Sequence, residues 1–228
     1  MPYYSNFRNN VPTVTRNLIV VNVLVFIATL INENAMVQYF AMFYPSSRFF
    51  RIWQPVTYMF MHGGFWHILF NMYTLWMFGS AVERIIGEKK FLLLYFVCGL
   101  GAAACHIGVQ AIELASYSNG MALGSQAAVA GYAGIMRSPM LGASGAIYGL
   151  LIAFAMIFPD SRMTLIFPPV TLSAKWMVAI FAGIELITGI SGSVEGVAHF
   201  AHLGGMIFGW FMIWMWRRRN VLFDRDTL

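Results

Sequence analysis

Residues 142–158 read GASGAIYGLLIAFAMIF, an unbroken run without a charged side chain and with small residues crowded at its start. At a helical rise of ~1.5 Å per residue, such a run reaches most of the way across a hydrocarbon core of ~30 Å. Five more runs of this kind flank it, at about 14–32, 65–82, 91–112, 174–191 and 197–216. The first, VTRNLIVVNVLVFIATLIN, has no small-residue cleavage site before the next polar stretch, so it is expected to remain as a span and not to be removed as a secretory signal. The expected fold class is an all-α polytopic membrane protein, a bundle of six transmembrane helices in a single domain over residues 1–228.

Composition supports a lipid solvent. Of the 228 residues, 59% are apolar and 10% charged, and the mean hydropathy is +0.68. Soluble domains carry roughly 25% charged residues, so this chain has too few to cover a water-facing surface. The same numbers exclude disorder. Two cysteines, Cys98 and Cys105, exclude a disulfide-stapled module. They stand two helical turns apart in one run, too distant to bridge, and are read as core residues.

Lysine and arginine set the orientation. With the N-terminus in the cytoplasm, the inner segments hold Arg8, Arg16, Arg84, Lys89, Lys90, Arg162, Lys175, Arg217, Arg218, Arg219 and Arg225. The outer segments hold Arg48, Arg51 and Arg137, so the bias is eleven against three and both termini are expected inside. The net charge of +5 is therefore a topology signal. Because these residues are scattered among helix ends, no nucleic-acid partner is expected. The outer segments are unequal: 33–64 is aromatic enough to lie in the membrane interface, while 113–141 reads as a loop rich in Gly, Ala and Ser.

Polar side chains inside a span are expensive and face other helices or a water-filled cavity. Those present are Asn22, His67, Asn71, Ser144, Glu185, His199 and His202. His67 and Asn71 fall in the first two turns of the second span, Ser144 in the first turn of the fourth, and His202 in the second turn of the sixth. All three spans start outside, so these groups share one depth, roughly 5–10 Å below the outer edge at the helical rise.

Ser144 stands at a helix start, where backbone N–H groups lack intrahelical partners and the dipole is positive, a setting that suits a developing oxyanion. Taken alone, the Gly-flanked serine reads more readily as a small-residue packing motif. His202 shifts the balance. Gly205 and Gly209 share its helical face, and Gly145 and Gly149 form the matching stripe beside Ser144. Two such stripes let the fourth and sixth spans pack backbone to backbone, which brings an imidazole to a serine hydroxyl that it can activate. Tyr148, four residues after Ser144, is placed to brace the ring. His199 shares the Gly205 face less well, so His202 is taken as the base. No Asp or Glu stands in an obvious position to complete a triad, so a dyad is expected, with Glu185 and Glu195 as candidates for a third member or for a structural hydrogen bond.

His67 and Asn71, spaced i, i+4, project from one helix face, and both can donate to an oxyanion. A metal site at His62, His67, His199 and His202 lacks HExxH, nearby cysteine and adjacent carboxylate, so no metal or other cofactor is expected.

These residues carry a family resemblance. The chain resembles the rhomboid intramembrane serine proteases, of the bacterial six-helix type, over essentially all its length. The matching elements are Trp53-Gln54-Pro55-Val56-Thr57-Tyr58-Met59-Phe60-Met61-His62-Gly63-Gly64, the His67/Asn71 pair, Glu83-Arg84, Gly142-Ala143-Ser144-Gly145, Tyr148, and Ala201-His202 with Gly205 and Gly209. It departs from many members in its long 113–141 segment and in having Arg51-Ile52-Trp53 instead of adjacent Trp-Arg. The resemblance implies Ser144 as nucleophile, His202 as general base, and an oxyanion hole made by His67, Asn71 and the Ser144 N–H. It also implies single-pass membrane proteins as substrates, cut near the outer end of their transmembrane segments, and residence in the inner cell membrane. Two other readings compete: an inactive rhomboid-like protein that binds membrane clients, which predicts loss of the serine or histidine, and a small transporter, which predicts polar groups at the bilayer centre.

Overall fold

The structure, a computed structural model, describes residues 10–164, 169–191 and 196–223. The chain is mostly helical. The helices are α1 (Thr13–Ile31), α2 (Glu33–Phe40), α3 (Gln54–Thr57), α4 (Phe65–Thr74), α5 (Ser80–Ile86), α6 (Glu88–Ala122), α7 (Gln126–Arg137), α8 (Ser144–Ile157), α9 (Ala174–Ile190) and α10 (Gly196–Arg218). A π turn over Leu75–Gly79 joins α4 to α5 without a break. Between α8 and α9 lies an antiparallel pair, β1 (Arg162–Thr164) and β2 (Thr171–Ser173), with Met163 opposite Leu172. This pair is the one departure from the all-α expectation among the described residues.

Local chemistry sets the boundaries. Asn32 and Ser125 cap α2 and α7 by accepting from the amides of Ala35 and Ala128. Gly87, at φ 82°, turns the chain from α5 into α6. The first amides of α1 are capped from a distance by the carboxylate of Glu83, which is 3% exposed on α5. It accepts from the N–H of Val14 at 2.9 Å, and from the N–H and hydroxyl of Thr15 at 2.7 Å each. An anion at a helix N-terminus is stabilised by the dipole. Here it also clamps the start of α1 to the end of α5.

The centre of the molecule is the trio α6, α8 and α10, which pack on one another along most of their length. Glycines make this possible. A Cβ at Gly205 would overlap the carbonyl oxygen of Gly145, and one at Gly149 would lie 2.8 Å from the carbonyl oxygen of Gly205. On the α6 side, a Cβ at Gly204 would lie 2.6 Å from the Cβ of Cys105. Cys98 is buried and Cys105 half-buried, both as free thiols. α9 leans on α10 and α8, while α1, α4 and α5 close the opposite side.

The outer surface is apolar. Leu30 on α1 and Ile187 on α9 are each 71% exposed, and Trp176, Trp210 and Phe211 also face outward. Side chains of this size standing outside the fold in such numbers mark contact with lipid. α1 and α6 are long and apolar enough to cross a membrane.

One expectation about loops is corrected. The 113–141 segment is helical for most of its length: α6 continues to Ala122, for 35 residues, and α7 folds back on it. A Cβ at Gly131 would lie 2.5 Å from the Tyr117 ring, and one at Gly120 2.8 Å from the Cβ of Ala128. The small residues there are packing surface between two helices, with Gly124, at φ 81°, making the turn. The 33–64 segment is equally ordered. Gln54, fully buried, accepts from the amides of Phe43 and Arg51 and donates to the carbonyls of Gln38 and Phe49. The backbones of Met42 and Met140 exchange two hydrogen bonds, which ties this segment to the approach to α8. Arg8, Arg225 and Glu195 lie outside the described residues.

Gly205→Ala should therefore lower the thermal midpoint in detergent, since a methyl group forced against backbone costs about 1–3 kcal/mol. Gly183→Ala, on α9 with nothing within 4 Å of its added Cβ, should hold or raise the midpoint through helix propensity. Equal melting of the two variants would show that the α8–α10 contact yields without cost.

Candidate active site

Ser144 is the first residue of α8. The approach to it is rigid: the amide of Gly142 donates to the Tyr58 carbonyl at 3.0 Å, and the Tyr58 hydroxyl donates to the Gly99 carbonyl at 2.7 Å. Gly142 has φ 130°, a backbone region that disfavours side chains, and a Cβ there would lie 3.0 Å from the His67 ring and 3.6 Å from Ser144 Oγ. Ala143 supplies the carbonyl for the first bond of α8, to the amide of Ile147 at 3.0 Å. As at any helix start, the amides before that one have no intrahelical acceptor and point outward from the turn.

His202, on α10, meets the serine. Its Nε2 is 2.8 Å from Ser144 Oγ, and the carboxylate oxygen of Glu185 3.0 Å from Nδ1 favours the tautomer with the proton on Nδ1, in which the hydroxyl donates to Nε2. Tyr148 lies flat against the imidazole, with centroids 4.3 Å apart and planes 9° apart. The bracing role expected of Tyr148 thus has a geometric basis. The glycine stripes explain the closeness: with side chains at 145 and 205, the two helices would stand too far apart for an imidazole to reach a serine hydroxyl.

His67 approaches from the other side. Its Nδ1 accepts from the Gly63 amide at 3.4 Å, which leaves Nε2 as the N–H that faces Gly142 and Ser144. His62 packs edge-on to His67 at 5.0 Å. Burial first, and the neighbouring His67 second, push His62 down to about 4, so it is a neutral packing partner near pH 7. Asn71 is buried one turn further along α4, which touches α8. Asn22, the polar residue of α1, is buried elsewhere and donates to the Leu18 carbonyl at 2.7 Å.

Of the two carboxylates left open by the sequence, Glu185 lies beside the histidines. Glu185, on α9 and 6% exposed, places Oε2 2.6 Å from His199 Nδ1 and 3.0 Å from His202 Nδ1. The contact to His199 is a hydrogen bond, while the one to His202 is close but off the N–H direction. Gly189, four residues after Glu185, faces α10, where its Cβ would lie 3.1 Å from Phe200 and 3.5 Å from His199 Cβ. Glu185 shares that face. The donor atoms of Glu185, His199 and His202 lie within 4.8 Å of one another, a set able to ligate a cation. Their two measured separations are hydrogen-bond lengths.

A serine hydroxyl bonded to an imidazole, with N–H donors on the far side of the oxygen, can form and stabilise a tetrahedral adduct on a carbonyl. Comparison with known proteins points the same way. Residues 50–219 match the model of the rhomboid domain. The human mitochondrial presenilin-associated rhomboid-like protein is 29% identical over 235 residues, which cover 96% of this chain and 54% of that protein. Mitochondrial rhomboid protein 1 of Saccharomyces cerevisiae is 27% identical over 67% of this chain and 40% of its own length. Rhomboid protease GlpG of Yersinia pestis is 26% identical over 96% of this chain and 67% of its own length. The chain thus spans about half the length of the mammalian relatives it matches. With the domain match covering most of its length and the Ser144–His202 pair inside it, the chain belongs to the rhomboid family.

Proposed function

We propose that this protein is an intramembrane serine endopeptidase that cuts single-pass membrane proteins near the outer end of their transmembrane segments. The reading is carried by one observation, the 2.8 Å contact between Ser144 Oγ on α8 and His202 Nε2 on α10. In this reading the chain crosses the bilayer six times with both termini inside, on the eleven-to-three bias of its basic residues. Its membrane is the inner cell membrane; two of the relatives above are named as mitochondrial proteins, and fractionation of the source cells tests the assignment.

Ser144 Oγ attacks the scissile carbonyl carbon as its proton passes to His202 Nε2. The carbonyl oxygen becomes an oxyanion held by the Ser144 N–H, His67 Nε2–H and the Asn71 amide. Collapse breaks the C–N bond, and His202 returns the proton to the leaving nitrogen. Water then attacks the acyl-enzyme, gives its proton to His202, and releases the new carboxyl group as Ser144 recovers its hydrogen. An inactive client-binding protein has no use for this pair, and a transporter has none for a bonded serine and histidine at a helix start.

Three outcomes are expected in liposomes with a panel of transmembrane substrates. Ser144→Ala should remain folded, lose all cleavage and lose labelling by a fluorophosphonate; cleavage at the same bond by that variant would refute the nucleophile. His202→Ala should be equally inactive, while His199→Ala keeps measurable activity; the reverse pattern would reassign the base. Asn71→Ala should lower kcat by roughly 10²–10³-fold with KM nearly unchanged, the usual loss for one oxyanion donor. A raised KM at normal kcat would make Asn71 a binding or packing residue.

A further inference from the structure

Two chargeable groups, Glu185 and His199, meet behind the base, and neither belongs to the serine–histidine pair itself or to the oxyanion donors. Glu185 Oε2 accepts a hydrogen bond from His199 Nδ1 at 2.6 Å and stands 3.0 Å from His202 Nδ1. His202 Nδ1 is buried and has no aligned acceptor. With Nε2 accepting from Ser144, that nitrogen must carry the ring proton, so a buried N–H stands beside a buried carboxylate oxygen without quite pointing at it. Glu185 is also the one Asp, Glu, Lys or Arg in the described residues of α8, α9 and α10 between Lys175 and Arg217.

We infer that Glu185 is a positioning residue for His202: it orients the ring and balances the positive charge that the ring acquires during the reaction. This rests on the assignment of Ser144 and His202 above. In the resting arrangement the carboxylate is held chiefly by His199. When His202 takes the proton from Ser144 Oγ, both ring nitrogens carry hydrogen and the ring becomes a cation away from water. An ion in that setting needs a counter-charge and an acceptor, and Glu185 Oε2 is the anionic oxygen within reach. Catalytic hydrogen bonds that are loosely aligned at rest commonly tighten as charge develops. The Tyr148 ring lies flat on one side of the imidazole and confines such an adjustment to turning within the ring's own plane. His199 acts as the holder: bonded to the same oxygen, it keeps the carboxylate at this level of the bundle.

The arrangement has a consequence for the helices. Ser144 and His202 belong to α8 and α10, whereas Glu185 belongs to α9, which touches only part of that central packing. Docking of α9 and completion of the base are therefore the same event. A displacement of α9 by an ångström or so, the difference between a hydrogen bond and none, leaves His202 without its counter-charge.

The alternative is that Glu185 merely fastens α9 to α10. Glu185→Gln separates the two, because the amide keeps the size and an acceptor oxygen for His199 but carries no charge. Positioning predicts that kcat in liposomes falls at least about tenfold while KM stays within about twofold. It also predicts that the fluorophosphonate reacts with Ser144 more slowly in the same proportion, and that the thermal midpoint stays near that of the parent. Glu185→Asp, which keeps the charge on a shorter arm, should recover part of the lost kcat. Parent-like kcat in Glu185→Gln would overturn the inference. So would a lowered midpoint in Glu185→Gln that Glu185→Asp restores without restoring kcat, since that pattern belongs to a fastener. Failure of the underlying assignment looks different: Ser144→Ala would still cleave, or the probe would label another residue.

Discussion

Gly145 and Gly205 bring the backbones of α8 and α10 closer than any side chain allows, and the chemistry of the molecule depends on that closeness. Helices in lipid gain nothing from burying apolar surface against one another, because the solvent is equally apolar; they associate through close packing and polar contacts. The pairs Gly145/Gly205 and Gly149/Gly209 supply the packing, with a Cβ at Gly209 only 2.5 Å from the Gly149 carbonyl oxygen. An imidazole one turn before Gly205 and a hydroxyl one residue before Gly145 then have no choice but to meet. The same stripe that holds the bundle together sets the reach of the base.

The remaining polar groups obey a single rule, that backbone and side-chain donors away from water must find partners. Glu83 satisfies the start of α1 from another helix, which joins the two ends of the chain's first half. Gln54 uses all four of its bonding positions to fold the 33–64 segment onto itself. Lys90, fully buried, donates to the Val221 carbonyl and so ties the start of α6 to the chain beyond α10. Exceptions remain among the described residues: the Ser80 and Tyr95 hydroxyls, both ring nitrogens of His62, and the Nδ1 of His202, which stands beside Glu185.

Much of this was legible in the sequence. Because a lipid-facing helix must be apolar over its whole length, hydropathy runs gave the positions of the long helices to within a few residues, except that α6 continues ten residues past the expected end. The serine, the histidine and the glycine stripes were readable because their spacing repeats at the helical period. The 113–141 segment was misread because Gly, Ala and Ser serve two purposes: they loosen a loop in water, and they let helices approach, as Gly131 does against Tyr117. Sequence leaves the carboxylate behind His202 as one of two candidates, because Glu185 and His199 sit on different helices whose relative rotation no periodicity encodes.

What the sequence determined by itself is the class of solvent, the run of helices and the serine and histidine proposed to react, since each follows from composition or from spacing within one helix. Only the tertiary structure decided which faces meet: that α9 turns Glu185 toward α10, that His199 shares its oxygen, that Tyr148 lies flat on the imidazole, and that the His67 ring lies beside Gly142. The physical reason is that the period of a helix orders residues around its own axis, whereas the rotation of one helix against another is set by shape and by the pairing of buried polar groups across three or four helices at once.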